Sequence, residues 1–195
     1  MKIHGTAKGG ALSKKDFGVA FGGGAIPCQT SESWDDDSTL NMSSLYAGNN
    51  RTIQGAIIVS GSDFIGQNLK TATFYIEKTG SPEGTIYCRL YPTATIDSGL
   101  ATITEQSTDT FSMQTGWSDG AHEFTFTGDN DIAENNALVI SCAFTGASDS
   151  SNYINLVRQN YSPDPKEQMR QYQKEVDETV WEGQSNMNPR FKVCS

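Results

Sequence analysis

Apolar and polar positions alternate most regularly between residues 70 and 92. Ala72, Phe74 and Ile76 alternate with Thr71, Thr73, Tyr75 and Glu77; further on, Ile86, Cys88 and Leu90 alternate with Tyr87, Arg89 and Tyr91. A period of two turns one face of a strand inward and the other outward. The intervening Gly80-Ser81-Pro82-Glu83-Gly84 has turn chemistry, with proline presetting φ and glycines free to take positive φ. Together these features predict an antiparallel β-hairpin. Further strands are expected at 53–59, 122–127 (Phe124 and Phe126 on one face) and 152–159. The segment 137–145 (ALVISCAFT) is the most apolar and is expected to be central, and the segments 180–182 and 190–193 close the chain. The fold class expected is all-β.

One segment breaks this rhythm. Asp164 as N-cap, Pro165 at the first helical position and Glu167 at the third read as a helix start. Met169, Tyr172 and Val176 follow at helical spacing, so a short helix is expected over 165–178, packed by a narrow stripe.

Residues 1–30 differ from the rest. Gly5, Gly9, Gly10, Gly18, Gly22, Gly23 and Gly24 dilute the apolar cluster of Phe17, Val19, Phe21 and Ile26, which is too sparse to fold alone. Such a segment is either a flexible tail or an arm, and the alternation of Phe17, Val19 and Phe21 favours an arm that adds to a neighbouring chain as a strand. The expected organisation is therefore an assembly arm over 1–30 and a β-sandwich over 31–195.

The chain has 195 residues, enough for one sizeable β domain, and its 36% hydrophobic content suits a sandwich with polar outward faces. A formal charge of −9 argues against nucleic acid and anionic membranes as partners. No stretch has the roughly 18–20 apolar residues of a membrane-spanning helix. Lys14-Lys15-Asp16 and the glycines interrupt any signal-peptide core, so the expectation is synthesis and assembly in a cytoplasm, with release by lysis.

Cys28, Cys88, Cys142 and Cys194 lie far apart, without the CxxC spacing of a zinc site. Cys88 and Cys142 fall on apolar strand faces and read as buried thiols; Cys28 and Cys194, near the two ends, could form a staple, though spacing alone leaves the pairing open. Asp35-Asp36-Asp37 and Gly128-Asp129-Asn130-Asp131 offer oxygen ligands for a structural Ca²⁺, but neither matches an EF-hand, and solvated loops are the plainer reading. No other cofactor is expected. His4 and His122 are the only histidines, and no nucleophile, phosphate-binding or dinucleotide motif accompanies them, so no catalytic residues and no enzymatic activity are expected.

Tyr75, Tyr87, Arg89 and Tyr91 fall on the outward side of the expected hairpin. Rings displayed on a sheet can stack on sugars, and arginine can hydrogen-bond hydroxyls; alternatively a neighbouring subunit, the arm or the late helix covers this face.

The stretch KTGSPEGTIYCRLYP (78–92), followed by Asn152-Tyr153-Ile154, Trp181 and Phe191 in that order, resembles jelly-roll, carbohydrate-binding-module-like β-sandwiches. Such domains occur in virion and tail proteins and in secreted prokaryotic surface proteins. The chain departs from that pattern at 165–178 and at Asn188-Pro189-Arg190, which weakens any inherited ligand site. The resemblance implies a jelly-roll-like sandwich. With the arm and the lack of a catalytic set, it leads to an expected virion structural protein: capsid-surface, decoration or tail/fibre, homo-oligomeric and in contact with other virion proteins. The alternative is an extracellular or cell-surface adhesion module that binds glycans through the Tyr75/Tyr87/Arg89/Tyr91 face.

Overall fold

A computed structural model describes residues 28–30, 40–49, 51–92, 103–160, 170–175, 182–184 and 187–195. The fold is an antiparallel β-sandwich of two seven-stranded sheets. The first sheet contains β1 (Cys28–Thr30), β2 (Leu40–Leu45), β4 (Thr71–Thr79), β8 (Gly120–Thr125), β10 (Tyr153–Asn160), β13 (Met187–Pro189) and β14 (Phe191–Cys194). The second contains β3 (Arg51–Ile57), β5 (Gly84–Tyr91), β6 (Glu105–Gln106), β7 (Phe111–Ser112), β9 (Ala137–Phe144), β11 (Arg170–Glu175) and β12 (Glu182–Gln184).

The alternation read from the sequence sets the core. Ala72, Phe74 and Ile76 of β4 and Ile86, Cys88 and Leu90 of β5 are all buried in one cluster with Leu138, Ile140, Ile154, Leu156, Phe124, Phe191 and Val193. Phe191 stacks on Phe74 (ring centroids 5.4 Å) and on Phe64 (4.8 Å), so the last strand packs against the first half of the chain. The apolar segment at 137–144 is central as expected, with β9 paired to β3 on one edge and β5 on the other.

The expected hairpin is corrected. β4 and β5 do not pair: β4 is bonded to β8, β14 and β10, whereas β5 is bonded to β9, β6 and β7. The turn at 80–84 carries the chain from one sheet to the other, so the apolar faces of the two strands meet across the core. A hairpin and such an arch share the same period-two pattern, because alternation specifies faces and says nothing about which strand fills an edge. Gly80 makes the crossing at φ 67°, where a Cβ would land on the Ser151 carbonyl, and the Asn152 side chain accepts from Ser81 N–H (2.9 Å).

The expected helix is also corrected. Arg170–Glu175 is a strand between β3 and β12, with Tyr172 in register with Gly55 and Gly183; 165–169 and 176–178 lie outside the described residues. Helix propensities differ by tenths of a kcal/mol per residue, and the open edge of β3 offers a full row of backbone partners that outweighs them. The first boundary moves too: Cys28–Thr30, inside the span assigned to the arm, forms a strand of the sandwich against β14. Phe17, Val19 and Phe21, the residues of the expected arm, lie outside the described residues.

Candidate functional site

The four residues of the expected contact face do not meet. With Phe74 and Ile76 in the core, Tyr75 faces outward from the first sheet. Tyr87, Arg89 and Tyr91 face outward from the second, on the opposite side of the sandwich. Tyr91 is itself buried, in a small outer cluster with Ile57, Ala137 and Val139. Arg89 is held in place: Nη1 donates to Ser141 Oγ (2.9 Å), Nε donates to Gln106 Oε1 (2.8 Å), and the guanidinium carbon lies 5.3 Å from the Tyr87 ring centroid. Only Tyr87 and Arg89 remain neighbours at the half-exposed surface.

Tyr75 has a different partner. β4 and β10 pair from Ile76–Leu156 to Thr79–Tyr153 and then separate, and the final strand enters the gap. Arg190 sits at the fork, donating its N–H to Val157 O (2.9 Å) and accepting from Tyr75 N–H at its carbonyl (3.1 Å). Its guanidinium carbon lies 4.0 Å from the Tyr75 ring centroid, and the residue is buried. The sequence pattern carries no signal for this role of Arg190, which reads simply as the first residue of the closing strand.

His122 is a core-edge residue. It stacks on Trp117 (4.6 Å) and meets Phe111 edge-on (4.8 Å). Its Nε2 donates to the Ser118 carbonyl (2.8 Å), which can only accept. Burial pushes its pKa below the ordinary 6.5, partly offset by the Ser118 carbonyl and by Asp119. Trp117 Nε1 is in turn taken by Asp119 Oδ1 (2.8 Å). His4 lies outside the described residues.

The acidic loops divide. Asp35, Asp36 and Asp37 lie outside the described residues. In the loop after β8, Asn68 Nδ2 donates to Gly128 O (2.6 Å) and weakly to Asp131 Oδ1 (3.3 Å), and Asn130 Nδ2 donates to Glu105 Oε2 (2.7 Å). Among the described residues no three His, Cys, Asp or Glu side chains are grouped to hold a metal ion. No helix among them is long and apolar enough to cross a membrane.

The cysteines resolve into one bond and two thiols. Cys28 of β1 and Cys194 of β14 are direct register partners and form a disulfide spanning 166 residues. Cys88 and Cys142 are buried free thiols, both raised in pKa by burial. The disulfide fixes the point where residues 1–27 join the sandwich, at the edge of the first sheet. No family model, curated protein or solved structure matches the chain. The two-sheet antiparallel sandwich is thus the level at which the jelly-roll resemblance stands.

Proposed function

We propose that the protein is a virion structural component, of the capsid-surface, decoration or tail/fibre kind, that assembles through its N-terminal segment. The observation that carries this reading is the root of that segment. Residues 1–27 join the sandwich at Cys28, which is covalently fastened to the last strand, whose Phe191 and Val193 are in the core. Tension on the segment would therefore be borne by the sheet rather than by a loop. A glycine-rich segment with alternating Phe17, Val19 and Phe21 suits strand addition to a neighbouring copy or another virion protein. Repetition of such a contact between identical chains gives rings, shells or fibres according to whether it closes. A disulfide suits service outside the reducing cytoplasm, in keeping with an extracellular particle. The glycan-binding reading loses its main support, because its four residues lie on two opposite faces.

The test is direct observation of assembly. Purified full-length protein, concentrated under non-reducing conditions and imaged by negative-stain electron microscopy, should form discrete oligomers, shells or fibres. A chain that stays monomeric at high concentration, with residues 1–27 fully mobile by NMR, contradicts the proposal.

A further inference from the structure

We infer that the open edge of β8 is the acceptor for residues 17–21 of a neighbouring copy, an assignment that rests on the assembly proposed above for the N-terminal segment.

The hydrogen-bond alternation of β8 shows which of its groups are spare. Phe126 N–H donates to Lys70 O (2.7 Å), so Lys70 and Phe126 are a bonded pair. Alternation then makes bonded pairs of Ala72 with Phe124, Phe74 with His122 and Ile76 with Gly120. The backbone groups of Ala121, Glu123 and Thr125 therefore point away from β4. Thr125 is already satisfied: its N–H donates to Asp109 Oδ1 (2.8 Å), and its carbonyl accepts from Thr108 N–H (2.8 Å). Among the described residues β8 pairs with β4 alone, and Ala121 and Glu123 are both exposed. Two N–H and two C=O groups thus line a free sheet edge, the arrangement that takes up an extended segment.

Charge and packing select the occupant. Residues 1–27 hold four lysines and one aspartate, a net charge of +3, which leaves −12 on residues 28–195 of a chain whose total is −9. Between residues 103 and 127 there is no lysine or arginine, whereas Glu105, Asp109, Asp119 and Glu123 are acidic. Lys14 and Lys15 stand just before the Phe17–Phe21 alternation, so strand addition brings their charge to that acidic edge. Pairing of two β8 edges would instead bring two strongly negative sandwiches together. The apolar side of an added strand also finds a partner, because Phe111 and Trp117 lie half-buried beside the inward-facing His122 and Phe124.

Donor and acceptor stand at opposite edges of one sheet. β1, where the segment joins, lies beyond β14 on one side of β4, and β8 lies on the other. The contact is therefore head-to-tail, the kind that repeats into rings or fibres.

The experiment is amide hydrogen exchange at Ala121 and Glu123 of the full-length protein, dilute and concentrated, with sedimentation velocity reporting assembly in the same samples. Exchange at both positions is expected to slow by about tenfold or more in the assembled state only. The slowing should vanish, with the oligomers, in a full-length chain carrying Phe17→Ser, Val19→Ser and Phe21→Ser. Oligomers without slowing overturn the inference and leave assembly through the N-terminal segment standing; absence of oligomers removes both. Slowing already present in the monomer means that the segment lies on its own sandwich. Slowing that survives the three substitutions means that another strand, such as a second β8, fills the edge. Either result overturns the inference.

Discussion

Arg190 accepts the Tyr75 N–H at its carbonyl (3.1 Å) and lays its guanidinium 4.0 Å from the centroid of the Tyr75 ring. One residue thus closes the fork between β4 and β10 through both its backbone and its side chain. A cation over an aromatic face contributes more when it is desolvated, and Arg190 is buried. Arg190→Ala keeps the backbone bonds and loses the stack, and is expected to cost about 1–3 kcal/mol in urea denaturation. Arg190→Lys should fall between, since an ammonium lacks the planar surface. A double-mutant cycle with Tyr75→Leu should give a coupling of about 0.5–2 kcal/mol; additive effects would mean that the two side chains act separately.

The sheet-to-sheet turn depends on Gly80. Its φ is 67°, and a Cβ there would collide with the Ser151 carbonyl. Gly61 has φ 84° with open space around it, and so isolates the backbone contribution. Gly61→Ala is expected to cost about 1–2 kcal/mol, and Gly80→Ala measurably more because the clash is added. Equal costs in thermal or urea unfolding would refute the packing role assigned to the Ser151 carbonyl.

The disulfide and the two thiols give separate stability effects. Because the Cys28–Cys194 bond spans 166 residues, its removal by Cys28→Ser should lower global stability by about 2–5 kcal/mol. The Cys88 and Cys142 thiols should resist iodoacetamide in the native state and label on unfolding. Both have folded-state pKa values raised above the ordinary 9.0, so above that pH the unfolded chain gives up protons that the folded chain retains. Their contribution to stability is complete below pH 9.0 and diminishes as the pH rises beyond it. Cys142→Ala should make that alkaline decline shallower.

His122 acts with the opposite sign. Its pKa is lowered from 6.5, chiefly by burial, so the unfolded chain binds a proton that the folded chain refuses. The associated stability is present above pH 6.5 and is lost as the pH falls towards the folded value, with a slope of at most about 1.4 kcal/mol per pH unit. An NMR titration of the ring should read a midpoint below 6.5, and His122→Gln should flatten the stability profile in that range.

The inward faces of β4, β5, β9 and β10 were legible because each buries a period-two apolar set that local sequence states outright. The partners of those strands were not. Nothing in the turn at 80–84 says whether Phe74 lies beside Ile86 in one sheet or opposite it across a core, and only the first alternative would bring Tyr75 onto one face with Tyr87, Arg89 and Tyr91. The expectation of a helix near Tyr172 failed for a related reason: capping residues and weak periodicity describe an isolated segment, while the unfilled edge of β3 decides its conformation. β1 and β2 carry no strand signal in the sequence because Cys28–Thr30 and Leu40–Leu45 are short or polar, and pairing with β14 and β10 makes them strands. The staple between Cys28 and Cys194 was conceivable from their positions near the ends, yet only the register of β1 on β14 brings the two together.

The central claim is that residues 1–27 drive assembly from a root fastened to the sandwich. It is tested most directly by sedimentation velocity, comparing the full chain with a chain that begins at Cys28, at matched concentrations and under non-reducing conditions. The account predicts concentration-dependent oligomers for the full chain and a folded, disulfide-bonded monomer for the shortened one. Identical sedimentation of the two, whether both monomeric or both assembled, would contradict it.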